Sequence, residues 1–74
     1  MDPAVALLRS LAPGTRVVVR HRLGEGFTDS LGDLLGVDDH ECTVRTRRGD
    51  DVVRLSAVFA AKTVPPPPPR RPRR

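Results

Sequence analysis

Aromatic residues are scarce in this chain: its 74 residues include no tryptophan, no tyrosine and two phenylalanines, Phe27 and Phe59. The core must therefore be built from valine, leucine and alanine, and at least one phenylalanine ring is expected inside it. A chain of this length buries only about 60% of its unfolded surface, which predicts one small domain of modest stability. So few rings also exclude a proline-reading groove or a methyl-lysine cage, which need several aromatic side chains.

Cysteine and long apolar runs are scarce too. Cys42 is the single cysteine and has no internal disulfide partner, which indicates a reducing compartment. No apolar run approaches the length of about 18 residues that a membrane span needs. The N-terminal stretch carries an acidic residue, Asp2, where a secretory signal carries positive charge. We therefore expect a soluble cytoplasmic protein with no membrane partner.

The net charge of +4 is unevenly distributed along the chain. Within residues 1–64, nine basic and nine acidic side chains cancel. The whole excess comes from the C-terminal tail, whose arginines are Arg70, Arg71, Arg73 and Arg74. The folded part is therefore expected to lack a strongly basic binding face.

Short patterns of β-branched residues and glycine-containing turns predict a mainly β protein. Asp2 followed by Pro3 is a favourable helix start, and Pro13-Gly14 ends that helix. Gly32 and Gly36 predict a bend in the long second strand, and Ser56 begins a single 3₁₀ turn. The predicted strands cover residues 15–22, 27–37, 41–47, 51–55 and 60–64.

These elements predict a small five-stranded SH3-like barrel with a short N-terminal helix and a 3₁₀ turn before the last strand. The predicted domain organisation is a helix over 1–13, a barrel over 14–64 and a Pro/Arg-rich linker or disordered tail over 65–74. Proline lacks the N–H group that a central strand needs, so the barrel is expected to close near residue 64.

Candidate metal ligands and nucleophiles are few. His40 and Cys42 lie two residues apart, but zinc needs at least three protein ligands and His21 is the only other imidazole or thiol. A Cys–His nucleophile pair has no evident oxyanion hole in so small a domain. We predict no catalytic, cofactor-binding or metal-binding residues in this chain.

Arginines on the strand faces could contact nucleic acid, but single-strand binders of this kind also need aromatic platforms. Cross-strand ion pairs are the expected role instead. The predicted basic members are Arg16, Arg20, Arg22, Arg45, Arg47 and Arg54, and the acidic ones Glu25, Asp29, Asp33, Asp50 and Asp51. Nucleic acid is therefore an unfavoured partner.

The tail VPPPPPRRPRR permits two interpretations. Its P-x-x-P-x-R pattern matches ligands of SH3 domains, and its arginines, Arg70, Arg71, Arg73 and Arg74, form a possible partner-binding cluster. A five-proline run is also a stiff polyproline II spacer of about 3.1 Å per residue. The spacer is favoured, which predicts a further domain beyond it.

Four stretches closely resemble one known module. They are GTRVVVRHRL (14–23), TDSLGDLL (28–35), TVRTRRG (43–49) and LSAVFAAKTVPPPP (55–68). Together they resemble the SH3-like N-terminal domain of actinobacterial GNAT-type acetyltransferases, in the mycobacterial histone-acetyltransferase-like group. The resemblance covers most of residues 8–68.

The resemblance implies a non-catalytic accessory domain. It would dock on a GNAT catalytic domain in the same polypeptide, or present a protein substrate to it. Acetyl-CoA would bind only that catalytic domain, because its Arg/Gln-x-x-Gly-x-Gly/Ala loop does not occur in these 74 residues. This chain is accordingly expected to be no enzyme by itself, with no cofactor of its own.

Two alternatives from other functional classes stay open. One is a freestanding nucleic-acid-binding protein that uses its basic tail, which would show steeply salt-dependent affinity. The other is a homo-oligomeric adaptor that pairs through an edge strand of the barrel.

Overall fold

The computed structural model describes residues 2–65 of the chain. The four tail arginines predicted as a partner-binding cluster lie outside the described residues, and the linker assignment of 65–74 stays a prediction. No helix within residues 2–65 is long and apolar enough to cross a membrane. In chain order the elements are α1 (Pro3–Ser10), β1 (Arg16–Leu23), β2 (Gly26–Val37), β3 (Glu41–Thr46), β4 (Gly49–Arg54), a 3₁₀ turn (Leu55–Ala57) and β5 (Val58–Thr63).

The five strands form one antiparallel sheet in the order β4-β3-β2-β1-β5. Two-residue turns join β1 to β2 and β3 to β4, since Leu23 pairs with Gly26 and Thr46 with Gly49. Gly24 and Gly49 have φ angles of 59° and 125°, which side-chain-bearing residues rarely adopt. The predicted mainly β fold is confirmed: five antiparallel strands form a small barrel-like sheet, with a short N-terminal helix and a 3₁₀ turn before the last strand.

The bend of β2 lets this strand pair with both neighbours along different parts of its length. The pairing with β1 runs from Gly26 to Asp33, and the pairing with β3 begins at Asp33. The register with β3 shifts between Leu34 and Gly36, which marks a bulge. At Gly32 the backbones come so close that a Cβ atom would collide with the carbonyl of Arg45. The two glycines thus have different roles, one at a bulge and one at a close backbone approach.

One face of the sheet forms the core. The buried apolar side chains follow the period-two alternation of the strands, as Val17 and Val19 on β1 and Val53 on β4 illustrate. Helix α1 adds Leu8, which is fully buried, and covers the end of this face near Leu34. The core members are Ala4, Leu8, Val17, Val19, Leu34, Cys42, Val44, Val53, Leu55 and Val58.

The strand boundaries differ from the predicted ones by up to two residues, and helix α1 ends at Ser10, three residues before the predicted end at residue 13. Helix α1 begins at Pro3 with the side chain of Asp2 accepting a hydrogen bond of 2.8 Å from the backbone N–H of Ala4, as the capping pattern predicts. The 3₁₀ turn begins at Leu55 rather than Ser56, and the last strand begins at Val58 rather than Ala60. Leu55 is buried, so the turn begins with an anchored side chain.

The turn between β2 and β3 depends on the carboxylate of Asp38. Its Oδ1 atom accepts hydrogen bonds of 2.7 Å from the backbone N–H groups of His40 and Glu41. These bonds favour the ionised form, so they lower the pKa of Asp38 below that of an ordinary aspartate. The charged side chain thereby fixes the geometry with which β3 begins.

We expect Gly32→Ala to destabilise the fold by about 1–3 kcal/mol, because the added Cβ atom would collide with the backbone carbonyl of Arg45, which cannot rotate away as a side chain can. Gly36→Ala is the matched control in the same strand, since a Cβ atom there meets no atom within 4 Å. Its unfolding free energy should stay within about 0.5 kcal/mol of the parent value. Urea denaturation of the three proteins measures the difference, and equal midpoints would contradict the role given to Gly32.

Acid should weaken the β2–β3 turn in a way that depends on Asp38. The folded-state pKa lies below the unfolded value, so this contribution is complete above about pH 4 and is lost as pH falls through the folded pKa. Asp38→Asn keeps an acceptor oxygen but cannot titrate, so its stability should change less between pH 5 and pH 2.5 than that of the parent. Denaturation midpoints across that range test this, and parallel pH profiles would contradict it.

Candidate functional site

The inner face of the barrel changes from apolar to polar along its length. Near α1 it presents Leu34 and Val17, whereas at the opposite end three strands each contribute a polar side chain. On β1, His21 is the next inward residue after Val19. On β2, Ser30 lies on the same side as Leu34, four residues before it, and on β4 Asp51 lies two residues before Val53. We call these three residues, His21, Ser30 and Asp51, the polar end.

Ser30 is the centre of the polar end and is only 2% exposed. Its hydroxyl donates a hydrogen bond of 2.9 Å to Oδ2 of Asp51. The Nε2 atom of His21 lies 3.0 Å from the Oγ atom of Ser30. Because the serine proton is directed to Asp51, this nitrogen is the donor to Oγ. Within residues 2–65, no buried side-chain nitrogen or oxygen lacks a hydrogen-bond partner.

This arrangement contains the residue types of a hydrolytic triad but not its connections. In such a triad the histidine lies between the serine and the carboxylate and accepts the serine proton. Here serine lies in the middle, His21 donates to it, and the hydroxyl is closed off from solvent. The polar end therefore ties β1, β2 and β4 together instead of activating a nucleophile.

The candidate metal ligands are not brought together. His21 lies at the polar end, whereas His40 is exposed in the β2–β3 turn and Cys42 is buried near the helix-covered end. No group of three or more His, Cys, Asp or Glu side chains in the described part of the chain could hold a metal ion. Burial raises the pKa of the Cys42 thiol, which disfavours the nucleophilic thiolate.

The outer face carries a ladder of alternating charges. Arg16 pairs in register with Asp33, Asp33 with Arg45, and Arg45 with Asp50. The Arg45 and Asp50 side chains form an ion pair of 3.6 Å, and a separate pair joins Arg20 to Asp29 at 3.2 Å. All four side chains are about half exposed, so each pair adds little stability. The predicted role of Arg20 and Arg45 in cross-strand pairing is confirmed.

Asp51 was expected in that outer set, and this expectation is wrong. The residue occupies an inward position because it alternates with Val53, and its carboxylate binds Ser30. The period-two pattern already contains this information, since Asp51, Val53 and Leu55 are spaced two residues apart and the last two are buried. Ser30 was missed because the glycine-interrupted stretch around it lacks clean alternation.

Both phenylalanines lie on the outside, so the prediction of a core phenylalanine is also wrong. Phe27 is 51% exposed and Phe59 is 65% exposed. Their rings contact each other with centroids 5.0 Å apart and planes inclined at 53°. Valine and leucine fill the core, so the rings form a surface feature.

The family comparison covers the barrel. The family model described as the Rv0428c N-terminal Sm-like domain matches residues 11–62, about 70% of the chain. The chain belongs to this family. The matched stretch of this Sm-like domain begins directly after α1 and ends within β5. Comparisons with curated proteins and with solved structures found no match.

The polar end should stabilise the Sm-like barrel. Asp51→Ala removes the acceptor of the serine proton and should lower the unfolding free energy by about 1 kcal/mol. Asp51→Asn is the matched control, because its amide oxygen can still accept that proton, and its loss should be smaller. Chemical denaturation at neutral pH tests this, and an alanine variant as stable as the parent would contradict the tie between β2 and β4.

Proposed function

We propose that this Sm-like domain is a non-catalytic accessory module of a GNAT-type N-acetyltransferase. It docks on the catalytic domain, or presents a protein substrate to it, and that catalytic domain belongs to the same polypeptide. The observation that carries the proposal is the match of residues 11–62 to a family described as an N-terminal domain. That description is of a module at one end of a larger protein.

The sequence supplies two further supports. The four stretches beginning at residues 14, 28, 43 and 55 resemble the N-terminal module of actinobacterial acetyltransferases. The last of them continues from β5 into a five-proline run, a composition typical of a spacer between domains. Both supports concern how the barrel is connected, and neither requires a reaction centre within it.

The polar end is consistent with a non-catalytic role. Its serine is buried and donates its proton to a carboxylate, so it lacks the activation that acyl transfer needs. In the proposed protein, acetyl-CoA is bound by the catalytic domain and its acetyl group never contacts this barrel. The chain therefore contributes recognition or positioning.

Calorimetric titration of the purified chain with acetyl-CoA should give no heat beyond dilution. An acetyltransferase of established acetyl-CoA affinity, titrated under the same conditions, is the positive control. A micromolar binding isotherm for this chain would contradict the non-catalytic assignment.

Sequencing the nucleotides downstream of the codon for Arg74 tests the parent enzyme directly, because we expect a continuing frame that encodes an Arg/Gln-x-x-Gly-x-Gly/Ala loop.

A further inference from the structure

The two phenylalanines are held on the outer face by a specific feature of the sheet. Along β5, Val58 points inward and Ala61 packs against the core, so regular alternation would give one outward residue between them. Two residues lie between them instead. The register between β1 and β5 shifts at Arg20 and His21, which places Phe59 at a bulge.

The bulge aims Phe59 at Phe27. These residues belong to strands on opposite sides of β1, yet their ring centroids are 5.0 Å apart. Bulges commonly re-aim a side chain, and here the result is an aromatic pair above β1 with more than half of each ring residue's surface in solvent. A chain with so little aromatic surface thus keeps all of it outside its core.

Three cations, Arg20, Arg22 and Lys62, and two carboxylates, Glu25 and Asp29, lie on the strands and the turn beside this pair. Arg22 pairs in register with Phe27, whereas Lys62 pairs with Val18, four positions along β1 from Arg22, on the same outward side of β5. Asp29 is the nearest carboxylate in register, and it is already bound to Arg20. Within residues 2–65, Arg22 and Lys62 form no ion pair. We call Phe27, Phe59, Arg22 and Lys62 the aromatic patch.

We propose that the aromatic patch is a docking surface for a protein segment that presents acidic side chains around one or two apolar ones. The aromatic pair supplies the apolar contact, since Phe and Arg are both enriched at protein interfaces. Arg22 and Lys62 supply the unpaired positive charge that acidic groups would neutralise. The proposal rests on the patch itself and holds for any protein partner, with or without the acetyltransferase link.

The charges of the outer face disfavour two other occupants, a second copy of this chain and a nucleic-acid strand. A second copy docked face to face would set Arg22 and Lys62 against the same cations of its partner. A nucleic-acid strand needs a continuous positive track beside its stacking platform, whereas Asp29 and Asp33 lie on the same outer face and the charges of residues 1–64 cancel. An acidic protein segment fits both the rings and the charges.

A display library of random 12-residue peptides, selected on the full chain and counter-selected on the Phe27→Ala/Phe59→Ala variant, tests the proposal. We expect recovered peptides with net negative charge and at least one large apolar residue. Their dissociation constants, measured by fluorescence anisotropy, should rise about tenfold or more with Phe59→Ala and with Arg22→Glu. Val52→Ala is the matched control, because Val52 is 60% exposed on the opposite edge strand, and it should change the affinity by less than about twofold.

Four outcomes would overturn the assignment. Two concern the selection: no peptide is recovered, or the recovered peptides bind the double variant as tightly as the parent. The other two show a different occupant: the parent binds a 20-nucleotide single-stranded poly(U) probe, or self-associates in sedimentation, and the double variant does not. Circular dichroism verifies that each variant keeps its fold, which the exposure of both rings favours. If the double variant unfolds, Arg22→Glu and Lys62→Glu decide the result by themselves.

Discussion

The close approach of two backbones at Gly32 is the constraint on which the rest of the barrel depends. In a flat sheet β2 and β4 would stand about 10 Å apart, because β3 lies between them. The hydroxyl of Ser30 nevertheless reaches the carboxylate of Asp51. That contact requires the sheet to curl, and the curl requires that no side chain stand between β2 and the carbonyl of Arg45. The same bend of β2 brings the strands together around the apolar core at one end and around the polar network at the other.

The two faces of the sheet are organised by different physical effects. The inner face excludes water by packing valine and leucine, and its polar end satisfies its own hydrogen bonds. The outer face places opposite charges in register across β1 to β4, which limits its net field. The bulge in β5 interrupts that pattern at one place, where two rings lie together beside Arg22, which forms no ion pair within residues 2–65. The proposed docking surface therefore lies above β1.

Most of the fold was predictable from local patterns, whereas the arrangement of the surface was not. The alternation in β1 and β3, the capping by Asp2 and the glycine turns all act over a few residues, so the sequence contains their signal. The position of Phe59 depends on a register shift against another strand, and the inward reach of Asp51 depends on the curl of the whole sheet. Period-two alternation predicts which face of the sheet a side chain occupies only while the strand is regular. The prediction therefore failed in β2, which glycines interrupt, and in β5, which carries a bulge.

Cys42 gives this barrel a built-in chemical probe of its own opening. Its thiol is 1% exposed, it is the only sulfhydryl group in the chain, and it belongs to the strand that links the bent strand to the edge. A water-soluble alkylating reagent can reach the sulfur only when the core around it opens. The alkylation rate therefore reports the opening of the barrel without any introduced label: it follows the opening rate when alkylation is faster than reclosing, and the open population when it is slower.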